Sequence, residues 1–467
     1  MISLGIVLVA SPLAAQSPSQ PDWDAIQEET IRHFQALLRL DTSNPPGNET
    51  RAAEYLKEVL EREGIPVQIF ALDPDRANLV ATLKGNGSKR PLLLMGHTDV
   101  VTVFPERWTF PPFGAVRDGG YIYGRGTLDD KDNVVTSLMV MLMLKRMNVP
   151  LERDVIFLAE AGEESTTRPG IDFMVEQHWP AIAAEYCLAE GGGVTRRDGK
   201  VQFASVGTLE KLPRFVELIA RGPSGHGSVP LMNNAVARLT AAVTRLSEWE
   251  APIRLNETTR EYFLRLADMS EPADAERFRA VASGDPQKTH EALEYFRRNA
   301  PNYAALLRTS VAPTILEAGD RANVIPSEAK ATLDVRVLPN EDPDQILELI
   351  RGVVNDPGIE VRFAPREGMQ RPAGGTSIAT DAFRIIEAAV KRHYDTVTLP
   401  TMSTGASDMA QVRSKGTHCY GIGPAVDAED ARAGFGAHGD QERILESELH
   451  RFLRFYWDVV TNLAARG

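Results

Sequence analysis

Cysteine is scarce in this chain: Cys187 and Cys419 are the only two among 467 residues. They allow at most one disulfide, and both lie in apolar runs where a buried, inert thiol is the expected state. Runs of Lys or Arg are missing, and the formal net charge is -13 at pH 7. A phosphate backbone needs a basic surface, so nucleic-acid binding is excluded. Long hydrophobic runs are missing as well. The most apolar stretch, Met1 to Val9, continues through small residues to Ala15 and is too short to cross a bilayer as a helix, which excludes a membrane span there. No Lys or Arg precedes Arg32, yet Leu13-Ala14-Ala15 has the form of a signal-peptidase site. The expectation is a signal peptide and linker over residues 1–20 and export to the periplasm or the medium. Internal repeats and low-complexity tracts are absent.

What remains has ordinary globular composition, 43% hydrophobic and 25% charged. The length exceeds what one core organises, so two domains are expected. Amphipathic helices are predicted over Trp23 to Leu38 and Glu49 to Glu63. Apolar runs at Asn78 to Leu83, Pro91 to Met95 and Asp154 to Ala159 predict buried strands, with a buried helix over Asn133 to Met147 between two of them. This alternation indicates an α/β mixed sheet with helices on both faces. From about Gly207 to Arg366 the order becomes β-α-β-β-α-β, the signature of an inserted ferredoxin-like α+β unit. A charged segment of helical periodicity, Asn256 to Arg308, is expected to elaborate that insert. The α/β pattern resumes near Thr376, so 21–206 and 367–467 form the larger domain around an insert at 207–366.

Several strand ends carry reactive side chains. Gly96-His97-Thr98-Asp99 follows an apolar strand, which places His97 and Asp99 at the carboxyl end of a sheet strand, where open α/β sheets bind ligands. Residues i and i+2 share a side, so Asp99 can hold one imidazole nitrogen of His97 while the other faces a metal. In Gly124-Arg125-Gly126-Thr127-Leu128-Asp129-Asp130-Lys131, glycines permit a tight turn before carboxylates able to bridge two cations. Glu163-Glu164 follows one strand and Glu190 another; one glutamate of a pair can ligate metal while its neighbour accepts a proton. His438 in Gly436-Ala437-His438-Gly439 and His226 in Ser224-Gly225-His226-Gly227-Ser228 are flanked by small residues that admit close approach. Singly, each segment also reads as a capped strand end, a solvated turn or a helix start. Their recurrence at strand ends favours a site.

In this order these segments, with Asn323-Val324-Ile325-Pro326, resemble the co-catalytic zinc hydrolase family that includes aminoacylase, acetylornithine deacetylase, succinyl-diaminopimelate desuccinylase, glutamate carboxypeptidase, carnosinase and carboxypeptidase S. The similarity runs from about Trp23 to Leu463, and Trp108 to Lys131 looks most like the carboxypeptidase S and secreted N-acyl-amino-acid hydrolase branch. The resemblance implies two zinc ions per chain, one held by His97, Asp129 and Glu190 and the other by Asp129, Glu164 and His438. It implies Glu163 as general base, Asp99 as the partner that orients His97, and a cis bond between Asp129 and Asp130. Asn323, Arg336 and the Gly405-Ala406-Ser407 loop match positions around the substrate carboxylate, and His226 matches the oxyanion-stabilising histidine of a lid through which family members dimerise. Glu163-Glu164 is followed by Ser165-Thr166 instead of the more frequent hydrophobic-Gly pair, a departure in the loop that follows.

The implied activity is cleavage of an amide next to a free carboxylate, in a small peptide or an N-acyl amino acid. A dipeptidase that reads a free amino group is the alternative. A non-catalytic metal-binding protein would need a lost ligand or base, and none is lost. Mixed nitrogen and oxygen ligands accept Co²⁺ or Mn²⁺ as well as Zn²⁺.

Overall fold

A computed structural model describes residues 21–365 and 370–466. The signal peptide and linker expected at 1–20 and the end of the insert expected at Arg366 lie outside the described residues. At the centre is a ten-stranded mixed sheet. Its middle strand, Leu92–His97, lies between Val155–Glu160 and Tyr186–Ala189 and runs parallel to both. Leu92 and Leu94 enter one core, shared with the helices Trp23–Leu38, Lys131–Arg146, Asp381–Tyr394 and Glu446–Ala464. Leu93 and Met95 enter another, with Ile171, Met174, Met409 and Val412 on the opposite face. Burial on both faces is why these strands read as unbroken apolar runs. Cys187 and Cys419 are register partners on adjacent strands, and both are free and buried.

Helix Lys131–Arg146 is buried from Lys131 through Leu144. Its first residue donates from Nζ to the carbonyls of Leu37 (3.1 Å) and Leu40 (2.8 Å). A cation at a helix C-terminus meets the unsatisfied carbonyls and the negative end of the dipole. Burial lowers the Lys131 pKa to about 7.

A separate four-stranded antiparallel sheet has the order Ser310–Ala318, Glu328–Val337, Leu212–Arg221, Ile359–Phe363. Helices Ala235–Glu248 and Pro343–Val354 pack on it around Leu239, Leu333 and Ile350. In chain order these elements run β-α-β-β-α-β. Within their sequence lie four helices, Glu257–Asp268, Pro272–Ser283, Pro286–Asn299 and Pro301–Ala305. Their own core is built on the stacked rings of Phe263, Phe278 and Phe296. This bundle takes in Leu399 of the large sheet, and Arg265 donates to the Thr398 carbonyl at 2.8 Å. By chain position the segment falls in the insert; by packing it covers strand Thr398–Ser403 of the large sheet. That strand contains Pro400, which obscures it in the sequence because proline cannot donate to a ladder.

Beneath the sheet's carboxyl ends lies a buried ion pair. Glu49 is fully buried, and Arg76 reaches it with Nε at 2.8 Å and Nη2 at 2.5 Å. Burial raises the Glu49 pKa and Arg76 works against it. Arg76 also lies under the Glu163-Glu164 loop: its Nη2 is 3.3 Å from where a Cβ on Gly162 would stand. Substituting Arg76→Met leaves Glu49 buried and uncompensated, so urea denaturation should show a loss of about 3–5 kcal/mol; a loss below about 1 kcal/mol would mean the pair does not support the fold.

Candidate functional site

His97 closes its strand and is 1% exposed. Its main-chain N–H donates to Asp130 (3.2 Å) and its Nδ1 lies 3.0 Å from the Asp99 carbonyl oxygen, which turns Nε2 toward Asp129 Oδ1 at 3.0 Å. The Asp99 carboxylate does more than orient this ring, from which it is 3.5 Å away. Fully buried, it accepts the main-chain N–H groups of Gly162 (3.0 Å), Glu163 (3.2 Å) and Glu164 (3.1 Å) and the Asn44 amide (2.8 Å). One side chain therefore aligns the histidine strand with the glutamate loop.

Asp129 stands between the two histidines. Its Oδ1 faces His97 and its Oδ2 lies 3.1 Å from His438 Nε2. The Asp129–Asp130 peptide is cis. Gly126 has φ +89°, a left-handed conformation that favours glycine, and a Cβ there would meet Val100 Cγ1 at 2.9 Å. His438 lies 3.1 Å from both Glu164 carboxylate oxygens and has φ +61°, uncommon outside glycine. Glu163, the neighbour of Glu164, receives Arg371 Nη2 at 3.2 Å, and the same nitrogen is 3.1 Å from buried Asp408.

The electrostatics follow from burial of like charge. Burial raises Glu163 and Glu190 well above the usual carboxylate range, and Asp408 to about 7. Burial would lift Asp129 too, but His438 and His97 reverse the shift and hold it low. Burial would depress His97; Asp129 and Asp99 overcome it and raise its pKa well above the imidazole value. Hydrogen bonds to Asp129 and Glu164 raise His438 to about 10.

Among the described residues two groups of donors have spacing suited to a cation: His97, Asp129 and Glu164, and His97, Glu163 and Glu190, with one atom from each residue lying within 4.8 Å of the others. Tetrahedral ligands about 2.1 Å from zinc stand roughly 3.4 Å apart. The imidazole and carboxylate atoms at 3.0–3.1 Å come close to that spacing. Neutral imidazoles and carboxylates are the donor chemistry of such a site, so the residues present fit a metal.

Of the residues expected at the site, His97, Asp99, Asp129, Glu163, Glu164, Glu190 and His438 come together. The Gly405–Ser407 loop joins them indirectly, through Arg371 and Asp408. Ser407 donates its hydroxyl to Glu210 at 2.6 Å and its N–H at 2.9 Å, and Arg413 clamps the same glutamate at 2.9 Å. The Ser407 side chain thus shapes the loop from inside. His226 and Asn323 are neighbours on the small unit, with the Gly227 N–H on the Asn323 carbonyl at 2.8 Å, while the exposed His226 ring bonds Ser228 at 2.7 Å. Arg336 forms a fork with Asp334 at 2.7 and 3.0 Å. Those three residues bond within the small unit.

Asn44, Arg371, Asp408, Glu210, Arg413 and Glu442 were not legible as site residues. No local pattern marks them, because each acts through a partner distant in sequence.

Residues 93–462 match the model of peptidase family M20/M25/M40. A carboxypeptidase S-like protein of Dictyostelium discoideum is 28% identical over 401 residues, 82% of this chain and 74% of that protein. Human N-fatty-acyl-amino acid synthase/hydrolase PM20D1 is 28% identical over 394 residues, 82% of this chain and 76% of its own length. The fold matches an M20 family metallo-carboxypeptidase from Sulfolobus solfataricus at TM-score 0.70 and 23% identity, covering 92% of this chain and 98% of that one. With the family pattern spanning the ligand cluster from His97 to His438, the chain belongs to peptidase family M20/M25/M40 and is a metallohydrolase of that family.

Proposed function

We propose that this metallohydrolase cleaves the amide bond next to a free carboxylate, in an N-acyl amino acid or at a peptide C-terminus. In this reading two zinc ions occupy the cluster, one at His97, Asp129 and Glu190 and the other at Asp129, Glu164 and His438. The observation that carries it is the position of Asp129, one oxygen toward each histidine. The names of the relatives, a carboxypeptidase S-like protein and an N-fatty-acyl-amino acid synthase/hydrolase, support the substrate class. Cobalt or manganese would suit the same donors.

Bound ions of this kind polarise a scissile carbonyl and make water a nucleophile near neutral pH. Glu163 would take a proton from the attacking water and deliver it to the leaving nitrogen. Arg371 fixes the carboxyl of Glu163 for this transfer. Arg336, one edge of which holds Asp334, offers its remaining N–H groups to the substrate carboxylate beside Asn323 and the Gly405–Ser407 loop. His226 stabilises the oxyanion. Because the His226 ring is exposed and turned to its own loop, it is contributed across a homodimer. Exposed Val229 and Val324 beside it supply apolar surface for the partner.

A panel of N-acyl amino acids and dipeptides should show turnover of N-blocked substrates that bear a free carboxylate. Activity confined to free amino termini would replace this reading with a dipeptidase. Glu163→Gln should lower turnover about a hundredfold or more with metal content retained, while Glu164→Ala should lose metal. The reverse pattern would exchange their roles.

Arg336→Ala should damage kcat/KM on free acids far more than on the methyl esters, since a charge-assisted fork is lost only with the former. Equal losses would assign the carboxylate to another residue.

Mixing inactive Glu163→Gln with inactive His226→Ala chains should restore activity if sites are shared, because one site of a mixed dimer carries both defects and the other neither. No recovery after demonstrated subunit exchange would confine His226 to its own chain.

A further inference from the structure

Glu442 has no part in that reaction, yet it is 1% exposed and surrounded by donors. Its Oε2 accepts Arg125 Nη1 at 2.7 Å and the Gly126 N–H at 3.1 Å, and its Oε1 accepts the Leu128 N–H at 2.7 Å. A single carboxylate therefore holds the turn that ends in Asp129. Arg125, 3% exposed, donates its other terminal nitrogen to the Gly439 carbonyl at 2.6 Å, on the residue directly after His438. Its guanidinium lies 5.2 Å from the Trp108 ring centroid, which fixes its plane. At Gly439 a Cβ would stand 2.9–3.1 Å from three carbonyl oxygens, of Gly434, Gly436 and Gln441, so the loop is already tight.

The two proposed metal positions differ in their support. His97 and Glu190 sit at ends of paired strands, and Asp99 and Asp130 brace the histidine. His438 lies on a loop with its side chain 56% exposed. Asp129 is common to both. The Asp129 turn and the His438 loop are tied through the Arg125 and Glu442 side chains, alongside the Gly124 N–H on the Glu442 carbonyl at 3.1 Å and the pairing of Arg443–Leu445 with Tyr121–Tyr123.

We propose that Arg125 and Glu442 are positioning residues for the second metal ion: they set the Asp129 and His438 separation and thereby the affinity of the site formed by Asp129, Glu164 and His438. Metal sites tolerate ligand displacements of only about 0.2 Å, and removing a partner behind the ligands costs about 10- to 100-fold in affinity. This inference rests on the two-ion reading above.

The test is chelator titration of the zinc-loaded enzyme, wild type against Glu442→Gln, Arg125→Lys and Arg125→Met, with melting of each metal-free protein measured alongside. Wild type should release two ions. In Glu442→Gln and Arg125→Met one ion should bind about 10- to 100-fold more weakly while the other, which shares Asp129 but keeps His97 and Glu190, loses clearly less, and Arg125→Lys should lie between Met and wild type. A merely structural role would lower the metal-free melting temperature and weaken both ions to the same extent, which would overturn the proposal, as would unchanged affinities in folded variants. If Glu442→Gln does not fold, the Arg125 pair decides. A wild type that holds fewer than two ions would overturn the two-ion reading itself, so the two failures are distinguishable.

Discussion

Negative charge is concentrated at the carboxyl ends of three parallel strands. Asp99, Asp129, Glu163, Glu164 and Glu190 converge on His97 in a part of the molecule largely closed to water, where each carboxylate raises the energy of the next and burial raises that of all. Unpaired buried charge costs several kcal/mol per group, so the surroundings must offset it. Asp99 is satisfied outright by three N–H groups and an amide. Arg371 stands between Glu163 and Asp408. The carboxylates left without such cover are those facing His97 and His438, and a pair of dications there would neutralise them.

The same constraint explains the scaffold. A fully buried strand on either side of Leu92–His97 fixes where its end falls, and Asp99 turns that register into the register of the glutamate loop. Arg76 under that loop, Lys131 on the last carbonyls of the first helix and Arg125 at Glu442 are cations placed one layer out. Each holds a segment that carries a residue of the cluster or adjoins one. In this arrangement the outer charged residues position those of the cluster.

The two units have different characters. His97 and Asp99 in the large sheet are held by buried hydrogen bonds, whereas His226, Asn323 and Arg336 lie on the small unit and bond within it. Covering of strand Thr398–Ser403 by the four-helix segment links the insert's chain to the large sheet.

Much was legible in the chain itself. Apolar runs buried on two faces mark the central strands, and residues directly after such a run sit at the sheet end where ligands bind, so the recurrence of His97, Asp99, Glu163, Glu164 and Glu190 at those ends made them candidates, and the family resemblance gave each its role. His438 and Asp129 followed from flanking glycines and the family pattern. Tertiary structure alone decided the rest. Glu442 meets a turn more than 300 residues earlier, Arg371 reaches Glu163 across about 200, and Ser407 turns inward because Glu210 waits beneath it. A buried charge is recognisable only by the partner it meets, and chain folding chooses that partner. The four-helix segment is the same case in apolar terms: its periodicity declared helices, but which sheet they would cover depended on where Leu399 came to rest.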